Sequence, residues 1–454
     1  MSTPTITQQT GFRQTEVDRL FTWASAGESA AVIGMSGTGK SNLFNHLQDT
    51  ATQTAWGLDS HIILVRVNFH YIPDLSDRTV YSLILEQLEI LPTDNERLGL
   101  SQEIVAEIGR YHEKLLDAKD DILKAQRYFK LAIRALLANG RYRLILLCDQ
   151  FDELFQEAEP HLFANLRGLR EAYKYRLSYF VFTRDLLANL AELDNAREEF
   201  VELMASNVLG LKPYRPDDAL SLLKRIAQRN QRDLLPEWAQ ILLTATGGHA
   251  GLLRAGFLGV SRPQISLPAD GKTAVETLLR FPGVEIECEK IWRSLSPQER
   301  RLLSSQSRHL PLTDDDSSVQ KLLQLKGVLT ESPNPRLFSS LFARYVSQQE
   351  IFWDQPVYFD EAARQIWVMG QPAPSLTKLE FRLFRLLYEY SDEVVEKERL
   401  VSAGWPNAKG GVSDEALVAA IARLRKKIEP DANTPRRLQN VHNQGYILRL
   451  DSEG

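Results

Sequence analysis

Gly34-Met35-Ser36-Gly37-Thr38-Gly39-Lys40-Ser41 decides how this chain is read. It fits G-x-x-x-x-G-K-[ST], the phosphate-binding P-loop. The apolar run Ala30-Ala31-Val32-Ile33 leads into it, and Asn42-Leu43-Phe44-Asn45-His46-Leu47 leaves it with helical spacing. That is the strand–loop–helix context the motif requires. The glycines let backbone N–H groups close around phosphate oxygens, and the following helix turns its positive end to the same anion. Lys40 is expected to reach the β- and γ-phosphates of ATP, and the Ser41 hydroxyl to ligate Mg²⁺.

Working outward, Leu144-Ile145-Leu146-Leu147-Cys148-Asp149 is an apolar strand ending in a carboxylate. Such a strand delivers its acid to the carboxyl end of a parallel sheet, beside the phosphates, where Asp149 would hold Mg²⁺. Further apolar runs at His61–Asn68, Ser178–Asp185 (with a polar end) and Asn207–Pro213 alternate with helical spacing. Five strands in this pattern imply a three-layer α/β core with right-handed crossovers and a parallel sheet. Three helices are expected at Thr79–Leu91, Gln102–Leu116 and Ile122–Ala138, with Gly140 ending the last.

The bulk numbers limit the function classes. A chain of 454 residues has room for several domains. Net charge is −5, so any DNA contact must be a local patch rather than a global basic field. The two cysteines, Cys148 and Cys288, sit in apolar surroundings and read as reduced core residues. The N-terminal stretch has no basic start or apolar run, and no segment approaches membrane-spanning length. A cytoplasmic protein without membrane contact is expected.

Gly11-Phe12-Arg13-Gln14-Thr15-Glu16 stands just before the P-loop strand and resembles the G-R-x-x-E box of AAA+ and STAND-type NTPases. That box lies near the adenine, which implies nucleotide contact for Arg13. Many hydrolytic AAA+ proteins carry Glu directly after the strand-ending Asp. Here Gln150 follows Asp149, and the acids come at Asp152 and Glu153. This displaced arrangement is similar to STAND NTPases, and it implies ATP binding with slow hydrolysis at most, serving as a switch. Thr183-Arg184 occupies the sensor position of those families, which implies a γ-phosphate reader at Arg184. Asp152, Glu153 and Arg184 are the candidate catalytic residues. Gly247-Gly248-His249-Ala250-Gly251-Leu252 resembles the G-G-x-P-L box of STAND lids, with Ala250 where relatives have Pro. His249 is expected as a helix cap.

The second half reads as two winged helices. Helical stripes at Ile291–Ser304 and Ser317–Leu325 are followed by Gly327–Glu331 and Arg336–Ser339, able to pair as a β-ribbon. Asp314-Asp315-Asp316 before the second of these helices would repel phosphate. This unit is therefore expected to lock the nucleotide domain rather than grip DNA.

The last hundred or so residues resemble the OmpR/PhoB-type winged-helix DNA-binding domain. A small leading sheet spans Val357–Asp360 and Gln365–Gly370. Thr377 can cap a first helix, and a second ends by Trp405. Ala416–Ile428 follows as the third, and Asn440–Tyr446 as the wing. The third helix buries Leu417, Ala420, Ile421, Leu424 and Ile428 on a 3.6-residue period. Glu415, Ala419, Ala422 and Lys426 form the opposite stripe, flanked by Arg423 and Arg425. The resemblance implies DNA contacts by these residues and by Lys427, His442 and Asn443.

The expected domains are a P-loop core (1–213), a helical lid and linker (214–284), a first winged helix (285–350) and the OmpR/PhoB-type domain (351–454). The expected function is a STAND-type, ATP-switched transcription regulator that binds double-stranded DNA. It would use ATP and Mg²⁺, with input from the nucleotide, from a partner such as a separate sensory protein, or from the helical segment near Ser101–Ala138; a nucleotide-dependent homo-oligomer is a further expected partner. The alternatives are an AAA+-like DNA-handling ATPase, either an initiator or a transposition loader, and a defence or signalling ATPase whose winged helices bind protein.

Overall fold

The computed structural model describes residues 11–91, 100–118, 121–262, 267–307, 316–332, 334–349, 357–360, 364–368, 371–406, 413–441 and 444–450. They form two compact units. The first holds residues up to Ser294 together with Ser317–Tyr345, and the second holds Leu295–Asp316 and the chain from Val346 onward. The contact boundary thus divides the 285–350 segment, and its Ser317–Tyr345 part packs with the nucleotide core.

The first unit begins with α1 (Gln14–Ala26), β1 (Ala30–Ile33), α2 (Lys40–Gln48), α3 (Thr50–Trp56) and β2 (Ile62–Asn68). Three helices follow at α4 (Asp77–Glu89), α5 (Gln102–Asp117) and α6 (Ile122–Leu137), then β3 (Arg143–Asp149). Next come α7 (Phe151–Glu157), α8 (Pro160–Ala172), β4 (Leu177–Thr183), α9 (Leu187–Leu190), α10 (Asn195–Glu202) and β5 (Val208–Gly210). The strands pair in the order β2-β3-β4-β1-β5, all parallel. The five-stranded parallel α/β core is as the sequence predicts.

Both faces of the sheet are covered, which is why its strands are continuous apolar runs. Alternate residues serve opposite cores. Ile62, Leu64, Ile145 and Leu147 face the cluster that includes Leu20, Leu43 and Phe44. Ile63, Val65, Leu144, Leu146 and Cys148 face the cluster built with Val80, Ile133 and Phe163. Because β1 lies between β4 and β5, the connections leaving β1 and β4 run to opposite sides. Their carboxyl ends therefore open a crevice at a topological switch point, and the P-loop sits there.

A helical layer follows: α11 (Pro216–Arg229), α12 (Pro236–Thr246), α13 (Ala250–Val260), α14 (Gly271–Leu279) and α15 (Pro282–Arg293). The predicted β-ribbon of the first winged helix is reduced to a single bridge between Leu329 and Leu337. Hydrogen bonds from Thr330 N–H to Arg336 O and from Phe338 N–H to Val328 O flank it. In chain order the intervening helices are α16 (Pro297–Ser307), α17 (Asp316–Leu325) and α18 (Ser340–Gln348).

The second unit continues with an antiparallel sheet of β6 (Val357–Asp360), β7 (Gln365–Val368) and β8 (Gln371–Pro372). Then come α19 (Lys378–Glu389), β9 (Val394–Glu396), α20 (Lys397–Gly404), α21 (Asp414–Ile428), β10 (Leu438–Val441) and β11 (Gly445–Leu448). Strands β10, β11 and β9 form the wing sheet. Thr377 caps α19 through a capping box with Glu380, and Ser413 caps α21. Leu383, Phe384, Leu400, Leu417, Ile421 and Leu424 share one core. This is the winged-helix pattern expected from the sequence. No described helix is long and apolar enough to cross a membrane.

Candidate nucleotide site and candidate DNA surface

A cavity of about 520 Å³ opens at the switch point. The loop from Ser36 to Ser41, with Asn42, forms its floor. Asp149, Gln150, Asp152, Phe182 and Arg184 enter from the ends of β3 and β4. The helical layer roofs it with Leu222, Arg225, Ile226, Arg229, Arg254 and Leu258.

The loop shape depends on its glycines. Gly37 has φ 76° and Gly39 φ 91°, where other residues are strained. A Cβ on Gly39 would also lie 2.1 Å from the Tyr214 hydroxyl. Lys40 Nζ donates to Gly34 O at 2.7 Å and to Met35 O at 3.4 Å, so the lysine is curled inside its own loop. Burial lowers its pKa to about 8, with Asp152 and Asp149 pushing it back up. A phosphate needs the ammonium form. Near pH 8, ATP binding is therefore expected to take up about half a proton, and above pH 8 affinity falls about tenfold per unit. Calorimetry in buffers of different ionisation heat measures the uptake.

Asp149 is buried, and its carboxylate is bonded to Arg66 Nη2 at 2.5 Å. Arg66 projects from β2 and lies over the Phe44 ring at 4.6 Å. No motif signals this counter-charge, because it depends on β2 and β3 being neighbours in register. Ser41 and Asp149 both line the cavity and supply the oxygen donors that Mg²⁺ favours.

Gln150 adopts a left-handed φ of 56°, and its N–H donates to Asp149 Oδ1. Helix α7 starts immediately after it, so Asp152 and Glu153 point about 100° apart. Asp152 is buried on the cavity side, where it accepts the Arg184 N–H at 2.8 Å, and Arg184 Nε lies 3.4 Å away. Glu153 is exposed and is absent from the cavity wall. The two acids read together from sequence therefore separate, and only Asp152 joins Arg184 at the cavity.

Arg13 also lies elsewhere than expected. It is buried behind the loop, donates to Thr38 O and Lys212 O, pairs with Glu16 and covers the Tyr214 ring. It does not line the cavity. Its guanidinium braces the back of the P-loop.

The helical layer is bonded directly to the loop. Gly251 N–H donates to Gly37 O at 3.0 Å. His249 caps α13 by accepting the Leu252 N–H at Nδ1, and its Nε2 lies 2.8 Å from Ser36 O. These partners assign the neutral Nε2–H tautomer. Burial lowers the His249 pKa to about 4. On the other side, Asp185, the residue after Arg184, pairs with the buried Lys326 at 2.7 Å. Arg225, Arg229 and Arg254 of the helical layer, which line the cavity, and Lys326 were not legible in the sequence, since nothing in their local spacing points to this site. Both cysteines are buried, with thiol pKa values pushed up by desolvation.

In the second unit, α21 exposes Glu415, Val418, Ala419, Ala422, Arg423 and Lys426. Arg425 is turned inward, its Nε donating to Leu438 O of β10. Lys427 is mostly buried and donates to Ser375 O and to Glu380 Oε2 at 2.7 Å. Both residues, expected on DNA, thus hold the domain together. Arg423 is half-exposed and lies 3.4 Å from the same Glu380. Val418 was missed by the sequence reading. His442 and Asn443 lie outside the described residues.

Residues 12–181 match the AAA ATPase domain family. Residues 370–448 match the family described as transcriptional regulatory protein, C terminal. Protein PetR of Rhodobacter capsulatus is 33% identical over 100 residues, 21% of this chain and 42% of PetR. Regulatory protein VanRc of Enterococcus gallinarum is 34% identical over 73 residues, 16% of this chain and 31% of VanRc. The chain thus spans less than half the length of either relative. Among solved structures, a Walker-type ATPase of Pyrococcus abyssi is 13% identical, with a TM-score of 0.42, covering 76% of this chain and 99% of that one. The chain joins a segment matching the AAA ATPase family to one matching the C-terminal family of transcriptional regulatory proteins, each on a fold of its own.

Proposed function

We propose that this protein is an ATP-binding, nucleotide-switched transcription regulator of the STAND type that binds double-stranded DNA through α21. The observation that carries the reading is the direct bonding of the helical layer to the P-loop, through Gly251 to Gly37 and His249 to Ser36. A nucleotide that reorders Ser36 and Gly37 on binding must change what those bonds hold. A ligand shifts a two-state element only through such differential contacts.

Residues 214–284 would act as lid, and 285–350 as a winged helix that locks the core. Lys40 and Arg184 would hold the β- and γ-phosphates, with Arg254 closing from the lid. Mg²⁺ would be held by Ser41 and, once Arg66 yields it, by Asp149, supplying charge neutralisation of the phosphates. Asp152 is the acid available to orient water. With Gln150 directly after Asp149, turnover is slow, as a timer requires. Input would come from the nucleotide, from a separate sensory protein or from the helical segment near residues 101–138, and the nucleotide-bound form would self-associate.

The test is duplex affinity measured by anisotropy on the full chain without nucleotide, with MgADP and with MgATP. Nucleotide is expected to change affinity by about tenfold or more, a coupling of about 1.4 kcal/mol. Lys40→Ala is expected to weaken ATP binding by about a hundredfold and to remove the dependence. Equal affinity in all three states would overturn the switch. DNA-stimulated, rapid ATP turnover with ring assembly would favour a DNA-handling motor instead.

A further inference from the structure

Helix α21 presents Glu415, Val418, Ala419, Ala422 and Lys426 along one outward stripe. Their spacing of three, one, three and four residues keeps them on a single face. Val418 is 52% exposed, although β-branched residues are ordinarily packed. One exposed apolar residue would mean little. Here it continues into two alanines on the face that the winged-helix reading sends into the major groove.

The charges around this strip sharpen the point. Sequence-specific contacts are most often made by Arg or Lys to guanine O6 and N7. Of the basic residues on α21, Arg425 is bonded to Leu438 O, and Lys427 to Ser375 O and Glu380. Arg423 also lies against Glu380. Lys426 sits toward the C-terminal end of the helix, whereas Glu415 and Asp414 occupy the N-terminal end. The middle of the stripe carries neither charge nor hydrogen-bonding side chains. What the major groove offers to such a surface is the C5-methyl group of thymine.

We propose that α21 recognises DNA through thymine methyl groups, with Val418, Ala419 and Ala422 as the contact strip. Glu415 then selects an exocyclic amine, such as cytosine N4, at the adjoining base pair. From Val418 to Ala422 the helix rises about 6 Å, or about two base-pair steps. The preferred site therefore carries neighbouring thymines rather than a guanine pair. The inference rests on the DNA reading above and supplies its sequence class.

The experiment selects bound duplexes from a randomised pool with the full-length chain, then replaces each thymine of the enriched site by deoxyuridine. Each contacted methyl is expected to contribute about fourfold in affinity. Uracil should therefore weaken binding by that factor at two adjacent positions. In Val418→Ser the same replacements should cost much less, a non-additive pair. A far-UV circular dichroism spectrum and unfolding midpoint matching those of the parent show that the variant is folded. An enriched site indifferent to uracil everywhere would overturn the methyl reading while leaving DNA binding intact. So would a Val418→Ser protein as sensitive to uracil as the parent. A pool with no enriched sequence would overturn the DNA reading, and this inference with it.

Discussion

Replacing Lys326 by Met is expected to lower the stability of the nucleotide unit by about 3 to 5 kcal/mol, the usual cost of orphaning a buried charge. Lys326 is 1% exposed, and its Nζ lies 2.7 Å from Asp185 Oδ2. Met fills similar volume, so the loss reflects charge more than packing. Asp185 keeps its Oδ1 contacts with Leu186 N–H and Asn189, but Oδ2 is left in a low-dielectric site. Adding Asp185→Asn should recover most of the loss, because the neutral amide keeps the local hydrogen bonds. The readout is the denaturant midpoint of the single and double variants. A single variant within 1 kcal/mol of the parent would mean that water reaches the pair. The pair also bears on the proposed switch, since a phosphate drawn to Arg184 acts on the neighbouring residue.

The second large effect is acid loss at the bonds between the helical layer and the P-loop. His249 titrates at about 4 in the fold, against an ordinary value of 6.5, and burial is the cause. The folded state keeps this ring neutral while the unfolded chain protonates it. The contribution is fully present above pH 6.5 and is lost as pH falls toward 4, where the loss levels off. The total is about 3 kcal/mol. Hydrogen exchange of peptides covering Ser36–Gly37 and α13 should accelerate across that window, since local opening follows local stability. His249→Asn keeps a capping side chain without the titration and should flatten the profile. An unchanged slope in that variant would place the acid sensitivity elsewhere.

Much of the fold is legible without coordinates because its signals are local. Turn chemistry and an apolar run identify the P-loop, and a terminal carboxylate marks β3. A capping box opens α19, and helical periodicity shows the buried face of α21. Where reading failed, the deciding partner was distant in sequence. Asp152 and Glu153 are adjacent letters, yet the rotation of about 100° between neighbours on α7 sends one to Arg184 and the other to solvent. Arg13 matches a nucleotide box, but the carbonyls of Thr38 and Lys212 claim its guanidinium. Arg425 and Lys427 carry the basic signature of a DNA helix, but Leu438 and Glu380 claim their donors.

By itself the sequence determined the α/β nucleotide core, the order of its strands along the chain, the phosphate loop and the terminal winged helix. These follow from backbone geometry and hydrophobic periodicity, which act over a few residues. Only the tertiary structure decided which charges face the cavity or solvent and which are spent inside. A buried donor must find an acceptor, and that acceptor can lie anywhere along the chain that folding brings near.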